Sequence, residues 1–372
     1  MMKRPIDKIT LEGFKSIESL VDFKLGKLNV LIGANGAGKS NFVDLFRLLR
    51  VFADEAFQEY VLDSGGGDGF LFLGPKVTQY ISARLDFEAN SYEFTLKPTA
   101  SGTLQVTNER GAFAGHWKPI GSGNLESTLK SHWAKVRTDE FGFESGWGVP
   151  QYIYESVSSW TVYHFHDTSP LAPMRRDQSL RDREKLRHDA SNIASYILSL
   201  KESNPASYSL IRDTVRLIAP FFDDFLLRPQ KRGTDEQVRL EWTQKGSDFP
   251  FQPNHLSDGT IRFICLTVAL LQPDPPATIV IDEPELGLHP YAISMLADLI
   301  KSASERTQVI ISTQSPTLLD YFAPDEIVVV NRREGRSTFE RLDAESLSGW
   351  MEDYSVGELW QKNVVQGGPS RE

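Results

Sequence analysis

The octapeptide GANGAGKS, residues 33–40, constrains the possible folds of this chain more than any other stretch. It fits the pattern G-x-x-x-x-G-K-[ST] at every fixed position. An apolar run at 28–32 precedes it, and an amphipathic stretch at 40–61 follows it. Because a strand leads into the loop and a helix leads out of it, the pattern indicates a phosphate-binding loop rather than a chance glycine-rich turn.

The residues of this loop predict how a nucleoside triphosphate is held. Glycines allow backbone N–H groups to point inward around a polyphosphate, and the helix N-terminus adds positive potential. Lys39 can reach the β- and γ-phosphates, and Ser40 can bind Mg²⁺. We therefore predict ATP and Mg²⁺ as cofactors. The predicted nucleotide-binding residues here are Asn35, Gly36, Ala37, Gly38, Lys39, Ser40 and Asn41.

A second motif, ATIVIDEPE at 277–285, places two acids directly after an apolar strand. In a parallel α/β sheet, ligands bind beside the carboxyl ends of the strands. Asp282 is then placed to hold Mg²⁺ through water or Ser40, and Glu283 to act as the catalytic general base. Two acids after a strand are also a common polar exit from a sheet, but the upstream loop favours the catalytic interpretation.

Composition limits the class of protein further. The chain has 372 residues, a net charge of −10 and one cysteine, Cys265, inside an apolar run. An acidic chain does not favour passive nucleic-acid binding, and a single cysteine excludes an intrachain disulfide. The N-terminus lacks a signal-peptide core, and no apolar run approaches the ~20 residues of a membrane span. We expect a cytoplasmic protein with no membrane partner.

The order of apolar segments predicts an α/β core that is interrupted by an insertion. Residues 1–115 supply the phosphate-binding loop and an antiparallel β-subdomain, and residues 251–335 return to strand–helix alternation. Residues 116–250 are predicted to form a mostly helical lobe, and residues 336–372 a C-terminal tail. The expected fold class is therefore α/β, with a mixed central sheet, an antiparallel β-subdomain and a largely helical insertion.

Three further segments indicate a subclass: LSDGTIRF at 256–263, ELGLHP at 285–290 and STQSP at 312–316. In this order they resemble the signature, D-loop and switch of ABC-type ATPases. LEGFKSI at 11–17 is similar to the opening of the RecF, SMC and OLD clade. The chain thus resembles a small stand-alone AAA-type P-loop ATPase of that clade, with an ABC-ATPase-like core. It is expected to lack a nuclease domain of its own.

The resemblance implies a homodimer that forms on ATP binding, in which two protomers enclose two ATP molecules. The signature in trans comprises Ser257, Asp258 and Gly259. Its position at a helix start suits an anion, because free N–H groups and the helix dipole face the ligand there. A plain N-cap is the alternative, and it is compatible with this role. The resemblance also assigns Lys15 and Ser16 to nucleotide binding and Gly287 and His289 to the D-loop.

Two motifs depart from the family pattern. Asp258 and Thr260 stand where the signature often has glycine and glutamine, and Gln314 stands at the switch position, which is usually histidine. Glutamine keeps a donor NH₂ group but cannot become charged near neutral pH. We predict that Gln314 is a catalytic γ-phosphate sensor, on a strand beside the one that ends in Asp282. A polar turn residue is the alternative.

The segment HFHDTSP, residues 164–170, follows a predicted strand. The resemblance places the Q-loop here, so His166 and Asp167 are the candidates that would couple Mg²⁺ to the insertion. A separate metal site that includes His164, or a plain surface, are the alternatives. Residues 175–188 then hold six Lys/Arg among three acids. This segment either binds nucleic-acid phosphates or forms a solvated helix face with acid–base pairs.

These observations lead to an ATPase whose dimer closes on ATP and opens on hydrolysis. The resemblance implies a sensor or regulatory motor for a protein effector of nuclease type, in DNA repair or in defence against phage. The effector would bind the insertion or the tail that carries Trp350 and Trp360. Two alternatives stay open: a RecF-like clamp that binds DNA directly, and an ATP-gated assembly scaffold that barely hydrolyses ATP.

Overall fold

A six-stranded sheet forms the centre of the fold in a computed structural model that describes residues 5–135 and 148–365. Five of its strands run parallel, and one edge strand runs antiparallel to its neighbour. Elements are numbered in chain order. Across the sheet the strands are β18 (Arg336–Arg341), β17 (Ile327–Arg333), β3 (Leu28–Ile32), β16 (Gln308–Thr313), β15 (Thr278–Asp282) and β8 (Thr161–Tyr163).

The register of this sheet aligns the carboxyl ends of its central strands. Asp282 of β15 lies opposite Ser312 of β16, and Thr313 lies opposite Ile32 of β3. Every residue of β3 and β16 is buried, as expected for strands covered on both faces. The prediction that the switch strand lies beside the acidic strand is confirmed. The polar residues after both strands therefore emerge beside the phosphate-binding loop.

Helices cover both faces of the sheet because side chains alternate along each strand. Leu31 and Val280 face one core, and Val30 and Ile279 face the other. The helix predicted over 40–61 is two helices, since Glu55 takes a left-handed conformation with φ of +58°. The first core is covered by α1 (Lys39–Asp54) and α2 (Phe57–Asp63), and the second by α7 (Asp258–Leu271), α8 (Pro290–Ser304) and α9 (Pro316–Leu319).

The predicted antiparallel β-subdomain is a six-stranded sheet, and it shares the core of α1. Two of its strands, Ile81–Phe87 and Asn90–Pro98, pair as an antiparallel hairpin. The sheet continues to Gly121, past the predicted limit at residue 115. Across the sheet the strands are β2 (Ile17–Lys24), β1 (Lys8–Phe14), β4 (Ile81–Phe87), β5 (Asn90–Pro98), β6 (Leu104–Phe113) and β7 (His116–Gly121).

The described part of the predicted helical lobe, 116–250, is mixed rather than mostly helical. Phe222, Phe225 and Trp242 are buried in it, and aromatic residues are a type enriched in strands. The stretch also contains β8, so the central sheet resumes inside the predicted insertion. Its other elements are α3 (Leu129–Lys135), α4 (Val149–Val157), β9 (Gln178–Ser179), α5 (Ile193–Ser203), α6 (Pro205–Ile218), β10 (Phe222–Leu226), β11 (Gln230–Arg232), β12 (Asp235–Val238), β13 (Glu241–Gln244) and β14 (Ser247–Phe251).

The predicted tail, 336–372, begins with β18 and so belongs in part to the central sheet. Glu334 and Gly335 have φ of +51° and +77°, which suits the two-residue turn between β17 and β18. The helices α10 (Ala344–Leu347) and α11 (Val356–Gln361) follow. The last seven residues of the predicted tail lie outside the described residues. Within 5–135 and 148–365, no helix is long and apolar enough to cross a bilayer.

Candidate nucleotide site

The predicted phosphate-binding loop connects β3 to α1 and packs against β17. Gly36 and Gly38 have φ of +79° and +111°, conformations that favour glycine. A Cβ atom on Gly33 would lie 2.2 Å from the carbonyl oxygen of Val330, so the start of the loop also requires glycine. The sequence context that indicated this loop, a strand before it and a helix after it, is present.

The side chain of Lys39 bends back over the loop. Its Nζ atom donates to the carbonyl oxygens of the first two loop residues, at 2.6 and 3.1 Å. Burial lowers the pKa of Lys39, and the negative charges of Glu283, Asp282 and Glu285 oppose that effect. The lysine therefore lies in the field of the acidic strand end. The two motifs predicted from sequence meet in one site.

A network of side chains supports the loop from behind. Ser337 of β18 donates to the carbonyl oxygen of Ala37 at 2.6 Å, and its Oγ atom lies 2.6 Å from Oγ of Ser16. Asn41 donates to the same Ser16 hydroxyl at 2.6 Å. A Cβ atom on Gly38 would lie 2.0 Å from Oγ of Ser337. Ser16 and Asn41, predicted to bind nucleotide, thus hold the loop in shape, and Ser337 joins them without any signal in its local sequence.

Lys15, also predicted to bind nucleotide, is held by an acid of α1. Its Nζ atom lies 2.5 Å from Oδ2 of Asp44, one turn beyond Ser40. The same ammonium group lies 5.2 Å from the ring centroid of Phe70, within range of a cation–π contact. A contact between Lys15 and nucleotide therefore stays a prediction, and it requires the ion pair with Asp44 to rearrange.

Asp282 and Glu283 lie at the carboxyl end of β15, beside the strand that carries Ser312. The hydroxyl of Ser312 donates to the Asp282 carboxylate. The backbone carbonyl oxygen of Ser312 accepts from the N–H of Glu283 at 2.8 Å. Glu283 has a φ of +45°, a conformation that non-glycine residues rarely adopt. Such strain persists where surrounding structure enforces it, and it clusters at functional sites. The backbone geometry therefore favours a functional role for Glu283.

Gln314 and a third carboxylate complete this edge of the sheet. The side-chain amide of Gln314 donates to Oε1 of Glu283. One oxygen of Glu285 accepts from Oγ1 of Thr313 at 2.5 Å and from the N–H of Gln314 at 3.3 Å. Its other oxygen is buried without a hydrogen-bond partner among the described residues, and burial raises the pKa of this carboxyl. In the sequence, Glu285 is the last acid of DEPE and the first residue of the segment that resembles a D-loop, 285–290.

His166 reaches the acidic strand end, whereas Asp167 does not. Nε2 of His166 lies 2.9 Å from the carbonyl oxygen of Asp282. Asp167 is exposed, and hydrogen bonds from Ser169 hold it in a local turn and lower its pKa. The rings of His164 and His166 are 4.1 Å apart, but the described chain contains no group of three or more His, Cys, Asp or Glu side chains placed to hold a metal. Of the predicted pair, His166 therefore lies at the acidic strand end and Asp167 lies in a surface turn.

The predicted signature and D-loop lie side by side. Ser257 is the N-cap of α7 and accepts from the N–H of Thr260 at 3.1 Å. A Cβ atom on Gly259 would lie 2.5 Å from the carbonyl oxygen of Gly287, so the two motifs touch through their glycines. His289 is the N-cap of α8. These contacts are within one chain, and the roles of the motifs toward a second chain stay predictions.

A buried arginine, Arg262 of α7, connects these motifs and was not predicted. Its guanidinium donates to the carbonyl oxygens of Phe165 and His166 at 2.9 and 3.0 Å, and also to that of Leu286 in the D-loop. Burial lowers the pKa of Arg262. Because one side chain bonds to the His166 segment and to the D-loop, movement of either segment strains the other.

The basic segment 175–188 is bent rather than helical, and it contains β9. Arg175 is buried and donates to the Asp258 carboxylate at 2.8 Å, beside the signature. The pairing of its arginines within the chain weakens the nucleic-acid interpretation, because phosphates would have to displace these acids. The other ion pairs, each at 2.8 Å, are Arg181–Asp235, Arg183–Glu202 and Arg187–Asp182.

The chain matches one protein family over most of its length. Residues 28–320 match the family described as "AAA domain, putative AbiEii toxin, Type IV TA system". No curated protein matches the chain. The match spans the phosphate-binding loop, the signature, the acidic strand and the switch, so it covers every motif at the carboxyl edge of the sheet.

Solved structures share the fold at low sequence identity. An SMC head bound to the C-winged helix domain of ScpA is 16% identical with a TM-score of 0.61, over 92% of this chain and 99% of that one. A Pyrococcus furiosus SMC head bound to the C-terminal domain of ScpA is 15% identical with a TM-score of 0.55, over 94% and 98%. A Pyrococcus yayanosii SMC head is 13% identical with a TM-score of 0.52, over 94% and 99%. The predicted ABC-ATPase-like P-loop fold is confirmed, because SMC heads share it over almost the whole of this chain.

Proposed function

Because the chain belongs to the AAA-domain family that matches residues 28–320, we propose that it binds ATP and hydrolyses it at the carboxyl edge of the central sheet. One observation carries this proposal. The amide of Gln314 donates to Glu283. The negative charges of Glu283 and Asp282 in turn act on the ammonium group of Lys39. A phosphate-binding lysine, a candidate base and a polar sensor thus converge on one edge.

The side chains suggest how hydrolysis would proceed. Lys39 exchanges its two loop carbonyls for β- and γ-phosphate oxygens. A water that Glu283 orients, beside its hydrogen bond with Gln314, attacks the γ-phosphorus; the bond from this phosphorus to the bridging oxygen breaks, and Glu283 takes the proton. Ser40 and Asp282 fit Mg²⁺, which would neutralise phosphate charge, because a hydroxyl and a carboxylate are oxygen ligands of the kind this ion prefers.

The signature surface supports a homodimer that forms on ATP. Ser257 and Asp258 are exposed at the N-terminus of a 14-residue helix, where the helix dipole favours an anion. A γ-phosphate bound by a second copy is the anion that this surface would contact. Gly259 touches the D-loop of its own chain, so closure at the signature would be transmitted to the D-loop.

We further propose that the ATPase acts as a sensor or regulatory motor for a partner protein. Two SMC heads of the same fold are described as bound to ScpA, which supports a protein partner here. An effector of nuclease type, in DNA repair or anti-phage defence, is the proposed setting. The family description names a toxin of a type IV toxin–antitoxin system, which favours defence.

The test is ATP turnover and dimerisation of purified wild-type protein, Lys39→Ala and Glu283→Gln. Lys97→Ala, a change at an exposed lysine of β5, is the matched control. We expect Lys39→Ala to lose ATP binding. Glu283→Gln should bind ATP, accumulate as a dimer and turn over on the order of 100-fold more slowly, because it lacks the general base. Loss of turnover in Lys97→Ala, or full turnover in Lys39→Ala, would contradict the proposal.

The same assay separates the two alternatives. Gln314 in place of histidine favours the scaffold, and equal turnover and equal dimerisation of wild type and Glu283→Gln would support it. The RecF-like clamp requires duplex DNA to bind at low salt and to change ATP turnover. The ion-paired arginines of 175–188 argue against that clamp. If DNA neither binds nor alters turnover, the clamp is excluded.

A further inference from the structure

The chain displays two large apolar side chains on the segment between α10 and α11. Trp350 is 50% exposed and Met351 is 41% exposed. Their backbone is held firmly, because the N–H groups of both residues donate to the carbonyl oxygen of Leu347 at 2.9 and 3.0 Å. The N–H of Tyr354 in turn donates to the carbonyl oxygen of Trp350 at 3.0 Å. These apolar side chains are therefore presented by an ordered turn rather than by a loose end.

Acidic side chains accompany this apolar pair. Glu352 and Asp353 follow it directly, and both are exposed with no side-chain hydrogen bond or ion pair to any described residue. The single basic residue of the described tail after β18 is Lys362, whose ammonium group lies 5.1 Å from the ring centroid of Tyr354. We call residues 350–353 the tail surface. It is apolar at its centre and negative at its edge.

The tail surface is connected to the switch. Gly357 of α11 packs so closely on α9 that a Cβ atom there would lie 2.3 Å from the carbonyl oxygen of Pro316. The N–H of Gly357 donates to Oδ1 of Asp320 at 2.8 Å. Ser315 caps α9 and directly follows Gln314. Displacement of α11 therefore moves the helix that begins at the switch.

We propose that the tail surface binds a segment of a partner protein whose apolar side chains are flanked by lysine or arginine. Trp and Met are enriched at protein interfaces, and an exposed pair on a rigid turn is suited to fill a partner's apolar contact. The unpaired Glu352 and Asp353 select for positive charge. A second copy of this chain fits poorly, because a two-fold contact brings the same acids together.

Such a partner would act on ATP turnover through α11 and α9. This consequence rests on the proposed ATPase function, whereas binding to the tail surface does not. The two parts are therefore tested separately, by a binding measurement without nucleotide and by an ATPase measurement with it.

The binding test uses two labelled synthetic peptides with the same helical pattern of leucines, one with lysine and one with glutamate at every polar position. Fluorescence anisotropy measures their affinity for wild type, for Trp350→Ala/Met351→Ala and for Glu352→Lys/Asp353→Lys. Glu59→Lys/Asp63→Lys, a change of equal charge on the exposed face of α2, is the matched control. Circular dichroism of each variant establishes that it is folded.

We expect wild type to bind the lysine peptide and not the glutamate peptide. Each tail-surface variant should weaken binding at least tenfold, and the charge-reversed one should bind the glutamate peptide instead. The control variant should bind the lysine peptide as wild type does. Equal weakening in the control would show that the acidic chain attracts the peptide non-specifically, and it would overturn the proposal, as would absence of binding. Binding only after removal of residues 366–372 would identify the chain's own end as the occupant and would also overturn it.

The ATPase measurement follows with the same peptides. The lysine peptide should change the turnover of wild type and of the α2 control, and leave that of Trp350→Ala/Met351→Ala unchanged. If the peptide binds the tail surface and wild type hydrolyses ATP without any response, the link to the switch is refuted while the docking surface stands. If wild type hydrolyses no ATP, the proposed function fails, and the binding result still decides the docking surface.

Discussion

The side-chain amide of Gln314 donates a hydrogen bond to the carboxylate of Glu283, across the carboxyl ends of two adjacent parallel strands. The amide NH₂ group can donate to Glu283 and to a phosphate oxygen at once, because it carries two hydrogens. We therefore propose that glutamine at this position orients the candidate base and also contacts the substrate. Orientation of a base requires no charge on the group that orients it.

Gln314→Ala should impair hydrolysis far more than ATP binding. We expect kcat to fall on the order of 100-fold, the typical effect of removing one donor that acts in the transition state, with little change in the Kd for ATP. Gln314→His should be tolerated, because imidazole can also donate to Glu283 and phosphate. Steady-state ATPase kinetics and nucleotide titration measure the two quantities. Unchanged hydrolysis in the alanine variant would reduce Gln314 to a turn residue.

Glu285 should act on hydrolysis through Gln314. It accepts from Thr313 and from the N–H of Gln314, and so it fixes the switch backbone. We expect Glu285→Ala to lower kcat roughly tenfold or more by misplacing the switch. In the double variant with Gln314→Ala, the second change should add little, since both remove the same interaction. Additive losses in kcat would show that Glu285 acts independently.

The free energy of unfolding should depend on pH through the carboxyl group of Glu285. Burial raises the pKa of Glu285 above its ordinary value of 4.5, so the folded state holds this proton more tightly than the unfolded chain. Its contribution to stability is complete below that value and is lost as pH rises through the folded pKa. Glu285→Gln should therefore lose less unfolding free energy than wild type as pH rises above 4.5. Urea unfolding at several pH values, with exposed Glu352→Gln as control, tests this; parallel profiles would contradict it.

The features predictable from sequence are those in which neighbouring residues carry the signal. GANGAGKS and DEPE fix a loop and a strand end locally, and the apolar run at 28–32 is observed as the strand Leu28–Ile32. Ser337 could not be found in this way, because the atoms it holds belong to Ala37, three hundred residues earlier. Arg262 bonds to backbone carbonyls, which every residue type has, so no pattern of side chains indicates its partners.

Loss of Arg262 should destabilise the fold, because this side chain joins the His166 segment to the D-loop. Arg262→Ala leaves buried carbonyl oxygens without donors, at about 1–3 kcal/mol each, so we expect unfolding free energy to fall by about 3 kcal/mol or more. Arg262→Lys should recover only part, because an ammonium group lacks the planar fork of guanidinium. Arg183→Ala removes an exposed ion pair and should change stability by less than about 1 kcal/mol. Denaturant unfolding measures all three, and equal losses in Arg262→Ala and Arg183→Ala would contradict this prediction.

The contact between Gly38 and Ser337 should make the two loop glycines with positive φ, Gly36 and Gly38, unequal. Both have positive φ, but a Cβ atom on Gly36 meets nothing within 4 Å, whereas one on Gly38 would lie 2.0 Å from Oγ of Ser337. Gly36→Ala should therefore lower the free energy of unfolding only through backbone strain, by about 1–2 kcal/mol. Gly38→Ala should lower the free energy of unfolding further, because β18 must also shift. It should also abolish ATP binding. Thermal unfolding without nucleotide isolates the stability effect from any contact with phosphate.

Removal of the opposing side chain supplies the control for that steric argument. Ser337→Gly takes away the hydroxyl nearest to the added methyl group, although Oγ of Ser16 would still lie 2.7 Å from it. Gly38→Ala combined with Ser337→Gly should therefore be less destabilised than the sum of the two single variants, a departure expected only for residues in contact. If the losses add, or if Gly36→Ala and Gly38→Ala are equally unstable, backbone conformation alone sets the requirement for glycine, and β18 does not shape the phosphate-binding loop.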